Sequence, residues 1–175
     1  MLFRSEDAAA LVARSTLTYF ERIRKDALTL PEADLRKGSF VDRLMVVMIR
    51  AQVDAELLRK FDGRALFAHA IDEGMVGEDA KALEPGDVIV EGDVGKIGLR
   101  RAGSETPPDR GFLAYREDGT WRLDVMSVLR DGGAGMRQGL RSLDPDEDVA
   151  IQKLLQHLTG RKVGQEIWQP LDPPK

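Results

Sequence analysis

Cysteine is absent from the chain, which removes disulfides, thiolate metal sites and a cysteine nucleophile together. Asparagine is absent as well, so there is no N-glycosylation acceptor. No apolar run approaches the length of a membrane span. The opening MLFRSEDAAA lacks the apolar core of a secretory signal, because Glu6 and Asp7 interrupt it. A cytoplasmic setting without membrane attachment is therefore the expectation. A strong charge of one sign is missing too. A net charge of −4 gives no general attraction to nucleic acid or anionic lipid. The short basic clusters Arg22, Arg24, Lys25 and Arg100-Arg101 read as solvated edges. What remains, 42% apolar and 32% charged residues over 175 positions, suits a single globular domain spanning 1–175.

The most informative stretch is FLAYREDGTWRLDVMSVL, Phe112–Leu129. It reads as two strands joined by a tight turn. Glu117-Asp118-Gly119 suits a three-residue loop closed by a glycine bulge. That register sets Tyr115 opposite Trp121 and Leu113 opposite Leu123, with Val125 on the same face. Arg116, Thr120, Arg122 and Asp124 share the other face. A two-residue loop would instead set Arg116 against Trp121.

The first half reads as helical. Ser5 is a candidate cap, and Leu11, Phe20, Ile23 and Ala27 recur at helical spacing until Pro31 closes the element. Ser39, with Asp42 three residues on, opens a segment that is apolar nearly all round, and a helix of that kind belongs in the centre of a fold. The competing strand reading of LMVVMI yields to helix because of this cap. Asp54 caps a short helix through Phe61. Asp62-Gly63 then starts RALFAHAIDE, stopped by Gly74, with Leu66, Phe67, Ala70 and Ile71 as its buried stripe. After Pro85-Gly86 come two strands, Asp87–Glu91 and Lys96–Arg101, around a turn at Gly92–Gly95. A proline-bearing loop follows over Gly103–Arg110, and then the long hairpin. DGGAGMRQG reads as a flexible connector (130–143). Asp144-Pro145 then opens a last helix with Val149, Leu154, Leu155 and Leu158 on one face, ended by Gly160. Ile167, Trp168 and Leu171 would pin the tail (144–175), leaving PPK to fray. Helices, then an antiparallel sheet, then a helix make an α+β protein.

This order resembles the nuclear transport factor 2-like superfamily, the cystatin-like cone fold. The resemblance rests on the helix-rich start, the Asp-Gly before RALFAHAIDEG, and the DGTWRLDVMSVL pair of closing strands, and covers Ser5–Leu129 (5–129). It implies N-terminal helices packed in the concave face of a bent antiparallel sheet, with a C-terminal helix added. It also implies self-association through the outer face of the sheet, giving a homodimer. The superfamily hosts isomerases, dehydratases, cyclases and adaptors, so the fold leaves activity open.

Two residues are candidates for proton transfer. His69 has Asp72 and Glu73 three and four positions on, where a carboxylate could orient it; the ordinary alternative is a solvated helix-surface pair. Asp124, on a central strand beside Arg122, could face a polar cavity as a base, or water in plain in–out alternation. Tyr115 and Trp121, with Arg122, are the candidate ligand contacts; a cross-strand aromatic pair is equally ordinary core packing. No His-x-His or Glu-x-x-His pattern marks a metal site, and His157 is the only other histidine. Neither GDVGKIG nor DGGAGMRQG carries the strand–loop–helix context and Lys-Ser/Thr of a nucleotide loop, so no cofactor is expected. Three functions are in play. The first is a non-catalytic binding or interaction protein with room for a small apolar ligand. The second is a cofactor-free enzyme using His69 or Asp124. The third is an adaptor that binds a protein partner through its C-terminal helix.

Overall fold

Caps written in the sequence set several of the helices. The Ser39 hydroxyl accepts the N–H of Asp42 at 3.2 Å and opens α4 (Phe40–Gln52). Asp54 accepts the N–H groups of Glu56 and Leu57 at 2.8 and 3.3 Å and opens α5 (Ala55–Lys60). The computed structural model describes residues 5–77, 82–103 and 110–172. Within them the other helices are α1 (Ser5–Leu11), α2 (Arg14–Thr29), α3 (Glu32–Leu35), α6 (Gly63–Asp72), α7 (Met126–Leu140) and α8 (Glu147–Thr159). A 3₁₀ turn lies at Gln165–Trp168. Strands β1 (Leu83–Glu91), β2 (Val94–Arg101), β3 (Arg110–Glu117) and β4 (Thr120–Asp124) form an antiparallel sheet in the order β1-β2-β3-β4. The α+β class is as expected. The Gly103–Arg110 loop falls almost wholly outside the described residues, as do the side chain of Ser5 and the PPK tail.

The chain divides into two compact units: Met1–Phe20 with Gly63–Asp131, and Glu21–Asp62 with Gly132–Lys175. The first holds the sheet. Its apolar core includes Phe20, Leu66, Phe67, Ala70 and Met126, with Phe20 and Phe67 packed edge to face at 5.1 Å. The long first helix expected to run to Pro31 is broken. Val12 forms a parallel bridge to Leu123, and the Ala13 N–H donates to the Leu123 carbonyl at 2.9 Å. The exposed first N–H of α2, at Arg14, donates to Glu117 at 3.0 Å.

The closing hairpin departs from its expected register. Asp118 and Gly119 both take positive φ, 50° and 77°, which is the two-residue type I′ turn that Asp-Gly favours. Arg116 therefore opposes Trp121, Tyr115 opposes Arg122, and Ala114 opposes Leu123. Because opposed residues share a face, Tyr115 and Trp121 lie on opposite sides of the sheet. The three-residue loop placed them together through a one-residue error in register. The strand expected to continue to Leu129 stops at Asp124, and α7 takes over at Met126.

The second unit is helical. Its core is built on α4, whose Leu44–Ile49 are all buried, as the unbroken apolar run implied. Around it lie Ile23, Ala27, Leu35, Leu58, Ile151, Leu155 and Trp168. The expected flexible connector at 130–143 is helical as far as Leu140. Its glycines serve close packing, since a Cβ on Gly133 would lie 2.8 Å from Val41 Cγ2 of α4. Helix α8 starts two residues later than read, capped by Asp146 rather than Asp144, and ends at Gly160 in the left-handed region as expected. Leu158 is exposed, and the buried face of α8 is Ala150, Ile151 and Leu155.

One charge stands inside this unit. Arg50, 6% exposed, donates Nε to the Ala27 carbonyl at 3.0 Å. Its Nη2 donates to Asp26 and Leu30 at 2.9 and 2.6 Å, and its Nη1 to Trp168 at 2.7 Å and Ile167 at 3.5 Å. Carbonyls at a helix C-terminus have no partner within the helix, so one planar fork satisfies the end of α2 and the tail together. Burial pulls Arg50 down to about 10, with the Asp26 carboxylate acting in the opposite sense, and the group stays charged at neutral pH. Burial also holds the Asp26 carboxyl above its ordinary value, partly offset by Arg22.

Replacing Arg50 with Met removes the side-chain donor from the Leu30, Ile167 and Trp168 carbonyls and should cost about 2–4 kcal/mol in urea unfolding. Asp26 has the opposite sign. A raised folded value means its contribution is full at acid pH and is lost as pH rises through that value. Asp26→Asn should therefore unfold at a higher urea midpoint than the parent at pH 7, and the difference should close near pH 3.

Candidate functional site

Asp124 ends β4 with its side chain 1% exposed, and what surrounds it decides its role. The Thr16 hydroxyl donates to Asp124 Oδ1 at 3.2 Å. The N–H of Met126, first residue of α7, donates to the same oxygen at 3.1 Å. Arg130, one turn into α7, forms an ion pair with Oδ2. Thr16 in turn accepts the Val125 N–H at 3.2 Å. Ser127 donates to the Asp124 carbonyl at 2.6 Å and accepts the Leu113 N–H at 2.9 Å. Thr16, Asp124 and Ser127 are three of the four buried polar or charged side chains among the described residues. Together they form one network that turns a strand into a helix, with a carboxylate at the positive end of the new helix. The arrangement orders the backbone and commits both oxygens of Asp124.

His69 lies on α6, half-buried, between the buried Ala68 and Ala70. Its carbonyl accepts the Glu73 N–H at 3.0 Å in the last turn. None of the hydrogen bonds that fix Asp124 comes from α6. His157 is exposed on α8. No cluster of three or more His, Asp or Glu that could hold a metal occurs among the described residues.

The candidate ligand contacts separate. Arg122 donates to the Ala10 carbonyl and pairs with Glu117, so it ties the sheet to α1. Tyr115 shares the face of Arg122 and Asp124. Trp121 is on the other face, where its ring lies 3.5 Å from the point a Cβ on Gly95 would occupy. Gly95 pairs with Ala114, and these two small residues make a floor for the indole. Arg116 sits 5.9 Å from the ring centroid.

The registers extend this face outward. Val90 opposes Gly95 and Val88 opposes Ile97, so both valines share the Trp121 side of the sheet. Val88, Ile89 and Val90 are 59%, 60% and 55% exposed, and Trp121 is 40% exposed. The sequence reading passed over these valines. The signal was there in DVIVE, an apolar run bounded by acids that does not alternate, on a strand whose one partner among the described residues is β2.

Comparison with family models, with curated proteins and with solved structures returns no match for this chain.

If Asp124 is an organiser of the β4–α7 turn, Asp124→Ala should destabilise the fold by about 2–4 kcal/mol in chemical denaturation, because Arg130, Thr16 and the helix terminus lose their acceptor. A dispensable catalytic acid would leave the unfolding midpoint in place.

Proposed function

We propose that the protein is a non-catalytic interaction module, on a scaffold resembling the nuclear transport factor 2-like cone, which takes a protein partner at the β1 side of its sheet. One observation carries this reading. Large apolar side chains that a monomer ordinarily buries, Val88 and Val90 on β1 and Trp121 on β4, stand exposed on one face of the sheet, with the indole reaching back over Gly95, the partner of Val90. Ile89 and Val94 are exposed on the other face. Trp121 rests on a floor of small residues that holds its ring in place, so little side-chain entropy is lost when a partner covers it. Glu84 is paired with Arg100 at 3.5 Å and Lys96 of β2 stands opposite Ile89, so the acids left along β1 and its turn are Asp87, Glu91 and Asp93. They disfavour an anionic lipid surface and favour a cationic protein. The enzyme reading has less to draw on, since Asp124 is engaged in holding α7 and Tyr115 and Trp121 do not share a face.

The test pairs two measurements. An environment-sensitive apolar dye should bind the native protein, and the combined variant Val88→Ser, Val90→Ser, Trp121→Ser should lose most of that signal while melting within about 3 °C of the parent. A panel of small metabolites should leave the melting temperature unchanged. A metabolite that raises it, with the rise abolished by His69→Ala, would sink this reading in favour of a small-molecule site.

A further inference from the structure

We propose that the edge of β1, which pairs with no strand other than β2 among the described residues, is a strand-addition site for an extended protein segment in which lysine or arginine alternates with branched apolar residues. The inference rests on the interaction reading above and specifies the partner.

The backbone is presented in the right way. Glu91 and Val94 flank the two-residue turn Gly92-Asp93, and such a turn makes them a mutually hydrogen-bonded pair. The β2–β3 side agrees, because the Arg116 N–H donates to Asp93 at 2.9 Å, so the β2 residues aimed at β3 alternate with those aimed at β1. Along β1, Glu91 and Ile89 then bond to β2, while Val90 and Val88 direct their N–H and C=O groups away from β2. The other edge of the sheet is different, since Val12 and Ala13 pair with Leu123 of β4.

Charge selects among occupants. In a second copy pairing antiparallel so that Val88 and Val90 bond to each other, Asp87 would stand opposite Glu91 twice; the register that pairs Val88 with itself escapes this but runs Val90 against Gly86, into the register break. Like charges directly opposed are destabilising. The register break between Pro85 and Val88 further shortens the run available for self-pairing. A strand with branched apolar residues opposite Val88 and Val90, and basic ones opposite Asp87, Ile89 and Glu91, satisfies both sets. Its lysine stems would cover Ile89 while the ammonium groups reach the acids.

The experiment uses the full chain and two synthetic octapeptides, one alternating lysine and valine, the other alternating glutamate and valine. Amide hydrogen exchange by NMR reads the site. The Lys-Val peptide should slow exchange at Val88 and Val90, with affinity that falls as salt is raised. The Glu-Val peptide should bind at least about tenfold more weakly. Asp87→Lys with Glu91→Lys, both exposed positions, should reverse that preference, and Val90→Pro should abolish binding by removing an outward donor. Equal binding of the two peptides, or binding of neither, would overturn the proposal. Peptide binding that quenches Trp121 but leaves the Val88 and Val90 amides unprotected would also overturn strand addition, while the interaction surface stands. Protection that depends on protein concentration without peptide would assign the edge to a second copy, against the proposal.

Discussion

A helix that ends inside a protein leaves carbonyl groups without donors, and in the helical unit that constraint is met by one arginine together with the backbone of the tail. Arg50 stands on the most apolar helix of the chain and spends its donors on the carbonyls of Asp26, Ala27, Leu30, Ile167 and Trp168. Burying a guanidinium is expensive, but the cost is offset when nearly every donor is used. The tail depends on this exchange. Trp168 is fully enclosed with Arg36 stacked 4.6 Å from its ring centroid, and Leu171 and Asp172 donate their N–H groups to Ala27 and Leu28. Beyond α2, the chain is held where Arg50 can reach two peptide carbonyls that no regular element satisfies.

The sheet unit solves the mirror problem. There the unmet groups are the N–H donors at the start of α7, and Asp124 supplies the acceptor, supported by Thr16, Ser127 and Arg130. An acid placed so deep invites a catalytic reading, because buried carboxylates are frequent in active sites. Hydrogen-bond bookkeeping gives the more economical explanation. The network closes on itself through backbone and neighbouring side chains, and the polar group is accounted for by the turn it makes.

The sequence showed what depends on local chemistry. Ser39, Asp54 and Gly160 act where they were read, because a cap needs only its own few residues. The unbroken apolar run of α4 placed that helix in a core. Two errors came from choices that local chemistry leaves nearly balanced. Asp-Gly serves a two-residue turn as well as a three-residue one, and in the two-residue register the indole lies over Gly95, which is on β2 and outside the hairpin. The glycines of DGGAGMRQG signal flexibility in isolation, but Gly133 is where α7 comes within a methyl group of Val41. Arg50 was passed over for the same reason. A lone arginine in LMVVMIRAQ shows that something must be satisfied, without showing that carbonyls far along the chain will do it.

The contrast between the two edges of the sheet bears most directly on function. Proteins that must stay apart shorten an edge strand, charge it, bend it or cover it. The β4 edge is covered by the break between α1 and α2. The β1 edge has Pro85, a register break and acids at Asp87 and Glu91, three devices against pairing with its own kind. Yet between them it keeps Val88, Ile89 and Val90 exposed, the residues that most favour a strand beside them. Protection from aggregation alone would have replaced that run with polar residues at little cost to a strand already half in water. Acids at Asp87 and Glu91 around an apolar, hydrogen-bonding middle are the features that the proposed strand of opposite charge would read.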